Sequence, residues 1–173
     1  MTDDAADRRQ AIEEVRADRA RTDELVAAID AQAFETAGLG GGEWSMKDLV
    51  GHLESWEQHA LDAIAAWERG EQPPIADALR ALGTDEVNRR EVARKATRAS
   101  DDVRASYAET HTKLLEAFER ATDDWWGGSA VEGEAPTHGQ RLGGILGGDL
   151  GLFRHDPDHW DDLRSFALEH PAR

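Results

Sequence analysis

Hydrophobic residues recur every three or four positions along most of the chain, which is the spacing of one face of an α-helix. Glycines separate these periodic stretches: four of the 16 lie within residues 38–42 and nine within residues 127–151. The pair Pro73-Pro74 makes a third break. No stretch alternates between apolar and polar residues as a half-buried strand does. The pattern therefore predicts an all-α fold, with about two-thirds of the residues in helices.

The first predicted helix, over residues 7–34, has two polar interruptions in its apolar stripe. Arg19 and Thr22 occupy the two middle turns, between Val15 and Val26. Polar side chains in such a stripe either line a cavity between helices or mark a helix end that lies partly in solvent. The sequence leaves both alternatives open.

The second predicted helix has the clearest start signal in the chain. Ser45 is a favourable N-cap residue, and Asp48 three residues later completes a capping box in which Asp replaces the preferred Glu. Trp44 and Leu49 stand at the two positions of a hydrophobic staple. The helix is predicted to start at Ser45 and to end before Gly70.

A third helix is predicted over residues 85–121, with a break near residues 97–100, where Ser100 resembles a new N-cap. The segment after it is ambiguous. Apolar residues from Leu142 to Ala167 keep helical spacing, but five glycines within residues 143–151 oppose a helix. Each glycine costs about 1 kcal/mol relative to alanine inside a helix. Periodicity predicts a helix here, and the glycine content predicts a loop.

Length, charge and cysteine content exclude several classes of protein. The 173 residues suit a single domain that spans residues 1–173. The net charge of −16 would repel a phosphate backbone, so nucleic acid is not an expected partner. The chain has neither a long apolar run nor a secretory signal, which predicts no membrane span and a cytoplasmic location. Because the chain has no cysteine, any thiol in its chemistry has to come from another molecule.

Three segments of the chain resemble the ClbS/DfsB family of the DinB-like superfamily. Residues 44–57, Trp-Ser-Met-Lys-Asp-Leu-Val-Gly-His-Leu-Glu-Ser-Trp-Glu, are similar to the second helix of that family. Residues 88–92, followed by the helix start at Ser100, resemble its third region, and residues 148–159 resemble its closing helix with two histidines. The resemblance implies a DinB-like four-helix bundle with a long crossover between helices 2 and 3, and often a homodimer.

The same resemblance implies a divalent metal held by His52, His155 and His159. The chemistry of these residues agrees with it, because neutral imidazoles suit Zn, Ni or Fe. Histidines four residues apart share one face of a helix. Three protein ligands also leave one coordination position open for water or substrate, as a catalytic metal requires.

Other features favour a site without metal. The Asp-Pro-Asp sequence around Pro157 is a strong helix start, and a helix that began there would leave His155 outside it and loosen its pairing with His159. His52 lies at the edge of an apolar helix face, where a histidine with a purely structural role would also lie. In a chain with seven histidines, a pair four residues apart also arises fairly often by chance.

The resemblance implies a metal-dependent enzyme that acts on a small reactive molecule in detoxification or self-protection. In a thiol-transferase version, the metal lowers the pKa of a low-molecular-weight thiol, and in a hydrolase version a metal or a carboxylate activates water. Glu54 and Glu57 are the candidate catalytic bases, although carboxylates in surface ion pairs would give the same pattern. The alternatives are a non-catalytic protein without metal that binds a small ligand or serves a stress response, and a structural dimer without a ligand.

Overall fold

The computed structural model describes residues 7–130 and 136–172, and 73% of these residues are helical. Within these ranges the chain forms eight α-helices: α1 (Arg8–Ala27), α2 (Met46–Glu68), α3 (Pro74–Leu82), α4 (Thr84–Lys95), α5 (Ser100–Arg120), α6 (Asp123–Gly127), α7 (His138–Ile145) and α8 (Trp160–Glu169). Three short 3₁₀ helices cover Ala31–Ala33, Gly40–Gly42 and Asp156–His159. The all-α prediction is confirmed.

The long helices pack as a bundle around one interior. The helix α2 lies along α5, and α1 packs against α5 on one side and α8 on the other. The helices α3 and α4 form the connection between α2 and α5, and both contact α2. This all-α bundle is of the DinB-like kind, and its long connection between α2 and α5 is the crossover that the resemblance implied.

The start of α2 follows the predicted capping box. The Asp48 backbone N–H donates to the Ser45 hydroxyl over 3.2 Å, and the Ser45 backbone N–H donates to the Asp48 carboxylate over 2.9 Å. These two bonds satisfy backbone donors that have no partner within the helix. The chain enters the helix from a two-stranded antiparallel sheet of β1 (Ala37–Leu39) and β2 (Trp44–Ser45), which the sequence did not predict.

Three boundaries differ from the prediction. The first helix ends at Ala27, although Ile29 and Phe34 after it remain buried. The proline pair begins α3 instead of a loop, because Pro74 occupies the first helical turn, where its fixed φ and missing N–H are tolerated. The predicted break before α5 is present, but Ser100 is its first helical residue and not its cap.

The glycine-rich segment contains both of the structures that its sequence predicted. Residues 138–145 are helical as α7, and the chain then turns back on itself. The Phe153 N–H donates to the Gly143 carbonyl over 3.0 Å, and the His155 N–H donates to the Leu146 carbonyl over 3.1 Å. A Cβ atom on Gly143 would lie 2.8 Å from the Phe153 ring, so glycine permits this close return. Phe153 itself has a φ of 60°, which is uncommon for a bulky residue.

Polar side chains are buried inside the bundle beside the apolar core. Arg19 is 4% exposed and Thr22 is fully buried, so the polar interruption in α1 faces the interior and is not a solvated helix end. His52, Glu54 and Glu57 on α2 are buried as well. Among the described helices, none is both long and apolar enough to cross a membrane.

Candidate metal centre

His52 lies in the second turn of α2 and is 2% exposed. Its ring contacts two tryptophans, with centroid distances of 4.8 Å to Trp44 and 6.5 Å to Trp56. Its Nδ1 atom is buried and has no hydrogen-bond partner within the described part of the chain. The aromatic neighbours, and not an outer hydrogen bond, therefore restrict the orientation of this imidazole.

His155 and His159 come from the chain around Pro157. The 3₁₀ helix begins at Asp156, as the Asp-Pro sequence predicted, and His155 precedes it. His155 nevertheless has helical backbone angles, with φ −70° and ψ −46°. The two rings therefore remain neighbours, with centroids 5.2 Å apart. Pro157 does not separate the pair.

The three imidazoles converge. The Nε2 atom of His155 lies 3.0 Å from Nε2 of His52 and 3.4 Å from Nε2 of His159. The potential ligand atoms of all three residues lie within 4.8 Å of one another. Nitrogens bound at 2.0–2.1 Å to a tetrahedral zinc ion lie roughly 3.3 Å apart. Two of the three separations bracket this value and the third is no more than 4.8 Å, so a small inward movement of the rings would complete the donor set for a divalent metal.

Burial keeps these rings neutral. Burial and the neighbouring histidines lower the pKa of His52 well below its usual value. Burial, with His159 beside it, lowers the pKa of His155 to about 3. Burial also lowers the pKa of His159, although nearby aspartates oppose it. Because a metal binds the neutral imidazole, the site needs no deprotonation near pH 7 to accept one.

The helix α1 holds the segment that carries His155. Arg19 Nε donates to Asp156 Oδ2 over 2.9 Å, and Trp160 Nε1 donates to Thr22 Oγ1 over 2.9 Å. A third contact joins Asp18 to the chain just before His155, where Arg154 Nε lies 3.3 Å from the Asp18 carboxylate. The polar residues within the apolar stripe of α1 thus contact the segment that carries His155.

Glu57, one of the two predicted bases, lies beside the histidine segment. It lines a cavity of about 20 Å³ together with His155 and Asp156. This volume accommodates one water molecule. The Glu57 carboxylate accepts from Arg19, with 2.9 Å between the nearest atoms, and its Oε1 lies 2.7 Å from His111 Nδ1. The contact between Glu57 and His111 has no signal in the sequence, because the two residues lie on different helices.

Glu54 faces other partners. Its carboxylate forms an ion pair with Lys95 and accepts from Ser106 over 3.3 Å and from Thr110 over 3.2 Å. None of these partners belongs to the histidine cluster. The alternative of surface carboxylates is wrong for both residues, since Glu54 is 7% and Glu57 is 4% exposed. Both lie in buried ion pairs, and Glu57 also shares a cavity with the candidate ligand His155.

The helical bundle is of the DinB-like kind, and a family match places the chain in the DinB-like superfamily. Within it, the chain belongs to the mycothiol maleylpyruvate isomerase N-terminal domain family, whose model matches residues 15–142. The match does not support the ClbS/DfsB branch that the sequence resembled. No curated protein and no solved structure matches the chain. His52 lies within the matched residues, and His155 and His159 lie beyond them.

Proposed function

We propose that the chain is a metal-dependent enzyme that transfers or activates a low-molecular-weight thiol on a small reactive substrate. The observation that carries this proposal is the convergence of His52, His155 and His159 with their nitrogens 3.0 and 3.4 Å apart. Neutral imidazoles are suited to Zn, Ni or Fe, and three of them leave a position open. The pKa values of all three rings are lowered by burial, so the rings are neutral near pH 7 and their nitrogens are free to bind a metal.

The family favours the thiol-dependent version over the hydrolase version. Its name refers to mycothiol, a low-molecular-weight thiol. The chain has no cysteine, so the thiol has to be a second substrate. When bound at the three histidines, a divalent metal supplies a positive charge that lowers the pKa of a thiol or a water in its open position.

Glu57 is the residue that we assign to proton transfer. Its carboxylate lines the one-water cavity beside His155, so a water in that cavity offers a path for a proton from the histidine site to this carboxylate. His111 Nδ1 lies 2.7 Å from Glu57 Oε1 and offers the next position for that proton. The His111 side chain is 14% exposed, which connects this pair to the protein surface. Glu54, in its ion pair with Lys95, is assigned a structural role.

The alternative of a non-catalytic binding protein has less support at this site. The cavity beside His155 holds about 20 Å³, which is too small for an organic ligand. A substrate therefore has to approach the histidines from outside this cavity.

The proposal is tested with cobalt-substituted protein, whose visible spectrum reports the coordination of the ion. Mycothiol is expected to produce a thiolate-to-cobalt charge-transfer band, and His159→Ala is expected to remove both this band and the cobalt spectrum. Glutathione is the matched thiol control for specificity. If cobalt binds but neither thiol changes its spectrum, the thiol-dependent version is wrong and the hydrolase version takes its place.

A further inference from the structure

We propose that Arg19 is a positioning residue that sets the distance between His52 and His155. This inference rests on the proposed function of the histidine cluster, although its structural part is tested without metal. Arg19 lies on α1, which supplies none of the three histidines, and its role is to hold the two chain segments that do.

Arg19 is the centre of a buried ion triad. It is 4% exposed, and its guanidinium contacts two carboxylates at once. Its Nε and Nη2 atoms donate to the two oxygens of Asp156 over 2.9 and 3.4 Å. Toward Glu57, Nη2 lies 2.9 Å from Oε1 and Nη1 lies 3.3 Å from Oε2. The guanidinium also lies over the Tyr107 ring, 4.1 Å from its centroid, which fixes its plane.

The two carboxylates belong to the two elements that carry the histidines. Asp156 directly follows His155, so a displacement of Asp156 moves the His155 backbone with it. Glu57 lies on α2 together with His52, and a regular helix keeps the separation of these two residues nearly fixed. Arg19 therefore connects α2 to the C-terminal histidine segment, because it binds Glu57 on the one and Asp156 on the other.

The neighbouring contacts of α1 do not have this property. Asp18 contacts Arg154, and Thr22 accepts from Trp160, so both hold the C-terminal segment alone. Of these three residues on α1, Arg19 is the one that also reaches α2. Removal of Asp18 or Thr22 leaves the connection between the two histidine-bearing elements intact.

An arginine suits this role better than a lysine. The planar guanidinium presents several N–H groups in a rigid fork, so it can bind two carboxylates side by side at defined distances. An ammonium group is a point charge on a flexible stem, and it cannot match both carboxylates with paired hydrogen bonds. The substitution Arg19→Lys therefore keeps the charge of the triad while it removes the geometry.

The test compares Arg19→Lys with Arg16→Lys. Arg16 lies on the same helix and pairs with Glu119 over 2.9 Å, but both side chains are more than half exposed. Crystal structures of the metal-free proteins give the distance between His52 Nε2 and His155 Nε2. We expect this distance to lengthen by about 1 Å in Arg19→Lys and to stay unchanged in Arg16→Lys. Zinc affinity is expected to fall by 10- to 100-fold in Arg19→Lys alone, the usual effect of an altered outer contact.

A second variant, Asp156→Asn, keeps the test open if Arg19→Lys does not fold. It leaves Arg19 and Glu57 as a pair of opposite charges and weakens the connection to His155. Asp156→Asn is expected to weaken zinc binding by a similar factor. The double variant of Arg19→Lys and Asp156→Asn is expected to bind zinc no more weakly than either single variant, because both substitutions remove the same connection.

A wild-type histidine distance and zinc affinity in a folded Arg19→Lys or Asp156→Asn would overturn the proposal. The failure of the proposed function has a different signature. In that case the wild-type protein binds no zinc, while the metal-free histidine distance still responds to Arg19.

Discussion

His52 and His155 face each other across 3.0 Å, but the segments that carry them are stabilised in different ways. The helix α2 around His52 is built from local contacts: a capping box at Ser45, a regular apolar face and 23 helical residues. The chain around His155 has glycine turns, a φ of 60° at Phe153 and a short 3₁₀ helix. Its position depends on side chains of α1 that lie more than a hundred residues away in sequence.

This difference predicts which substitutions disturb the histidine cluster most. A change in α2 alters a helix that its own sequence favours, and the remaining turns of that helix still hold His52. A change in α1 removes contacts for which the C-terminal segment has no local substitute. We therefore expect substitutions at the triad to have larger effects than substitutions at the helix cap.

The largest effect on stability is expected for Arg19→Met. It leaves the buried carboxylates of Glu57 and Asp156 without their cation, and such a loss destabilises a protein by about 3–5 kcal/mol. The same substitution at the exposed Arg16 is expected to change the free energy of unfolding by less than about 1 kcal/mol. Urea denaturation of both variants measures the difference. Equal midpoints for the two variants would show that the triad does not stabilise the fold.

A smaller change in the free energy of unfolding is expected when the pH is lowered. The pKa of His155 is lowered to about 3 in the folded protein by burial, against an ordinary value near 6.5. As the pH falls below 6.5, the unfolded chain takes up a proton that the folded chain does not, so the free energy of unfolding falls. Above pH 6.5 both states are neutral and this contribution is constant. The slope is about 1.4 kcal/mol per pH unit for one such group.

The comparison of wild type with His155→Asn isolates this effect. Asp18 acts in the opposite direction, because burial raises its pKa to about 6 and the folded state keeps its proton longer than the unfolded state does. That contribution is present in both proteins and cancels in their difference. Urea midpoints of the two metal-free proteins, measured from pH 7 to pH 4.5, are expected to fall less steeply in His155→Asn. Parallel pH profiles would mean that His155 is not held neutral by burial.

The smallest effect is expected for Ser45→Ala at the start of α2. It removes one capping hydrogen bond, and the loss of a cap costs about 1 kcal/mol. Because the contact is local, we expect the zinc affinity of this variant to equal that of wild type. A loss of zinc affinity as large as that of Arg19→Lys would mean that His52 also depends on its surroundings, and the contrast between the two segments would disappear.

The elements that could be predicted from sequence are those with local signals. Ser45 and Asp48 gave the start of α2 because a capping box uses residues three apart. The proline pair indicates a break in the sequence but begins α3 in the structure, since proline is compatible with both. In the glycine-rich segment, periodicity and glycine content each described a different part of the chain. The sequence alone does not show at which residue the helix ends and the glycine turns begin.

The site was predicted in part. The resemblance indicated the three histidines. Pro157 favoured a site without His155, because a helix start at Asp156 leaves the preceding residue without a fixed position. The sequence could not show that His155 keeps helical angles, since these depend on the hydrogen bond from its backbone N–H to the Leu146 carbonyl and on the contacts of its segment with α1. Arg19 was visible as a polar residue in an apolar stripe. Its partners were not visible, because they lie 38 and 137 positions away.

The central claim is that the three histidines bind a metal, and elemental analysis tests it most directly. The protein is purified without a nickel column, so that any metal comes from the cell or from a later defined addition. We expect one equivalent of Zn, Ni or Fe per chain, and loss of this metal in His159→Ala with an unchanged far-ultraviolet circular dichroism spectrum. Wild-type protein that holds no metal, and binds no more added zinc than His159→Ala, would contradict the account.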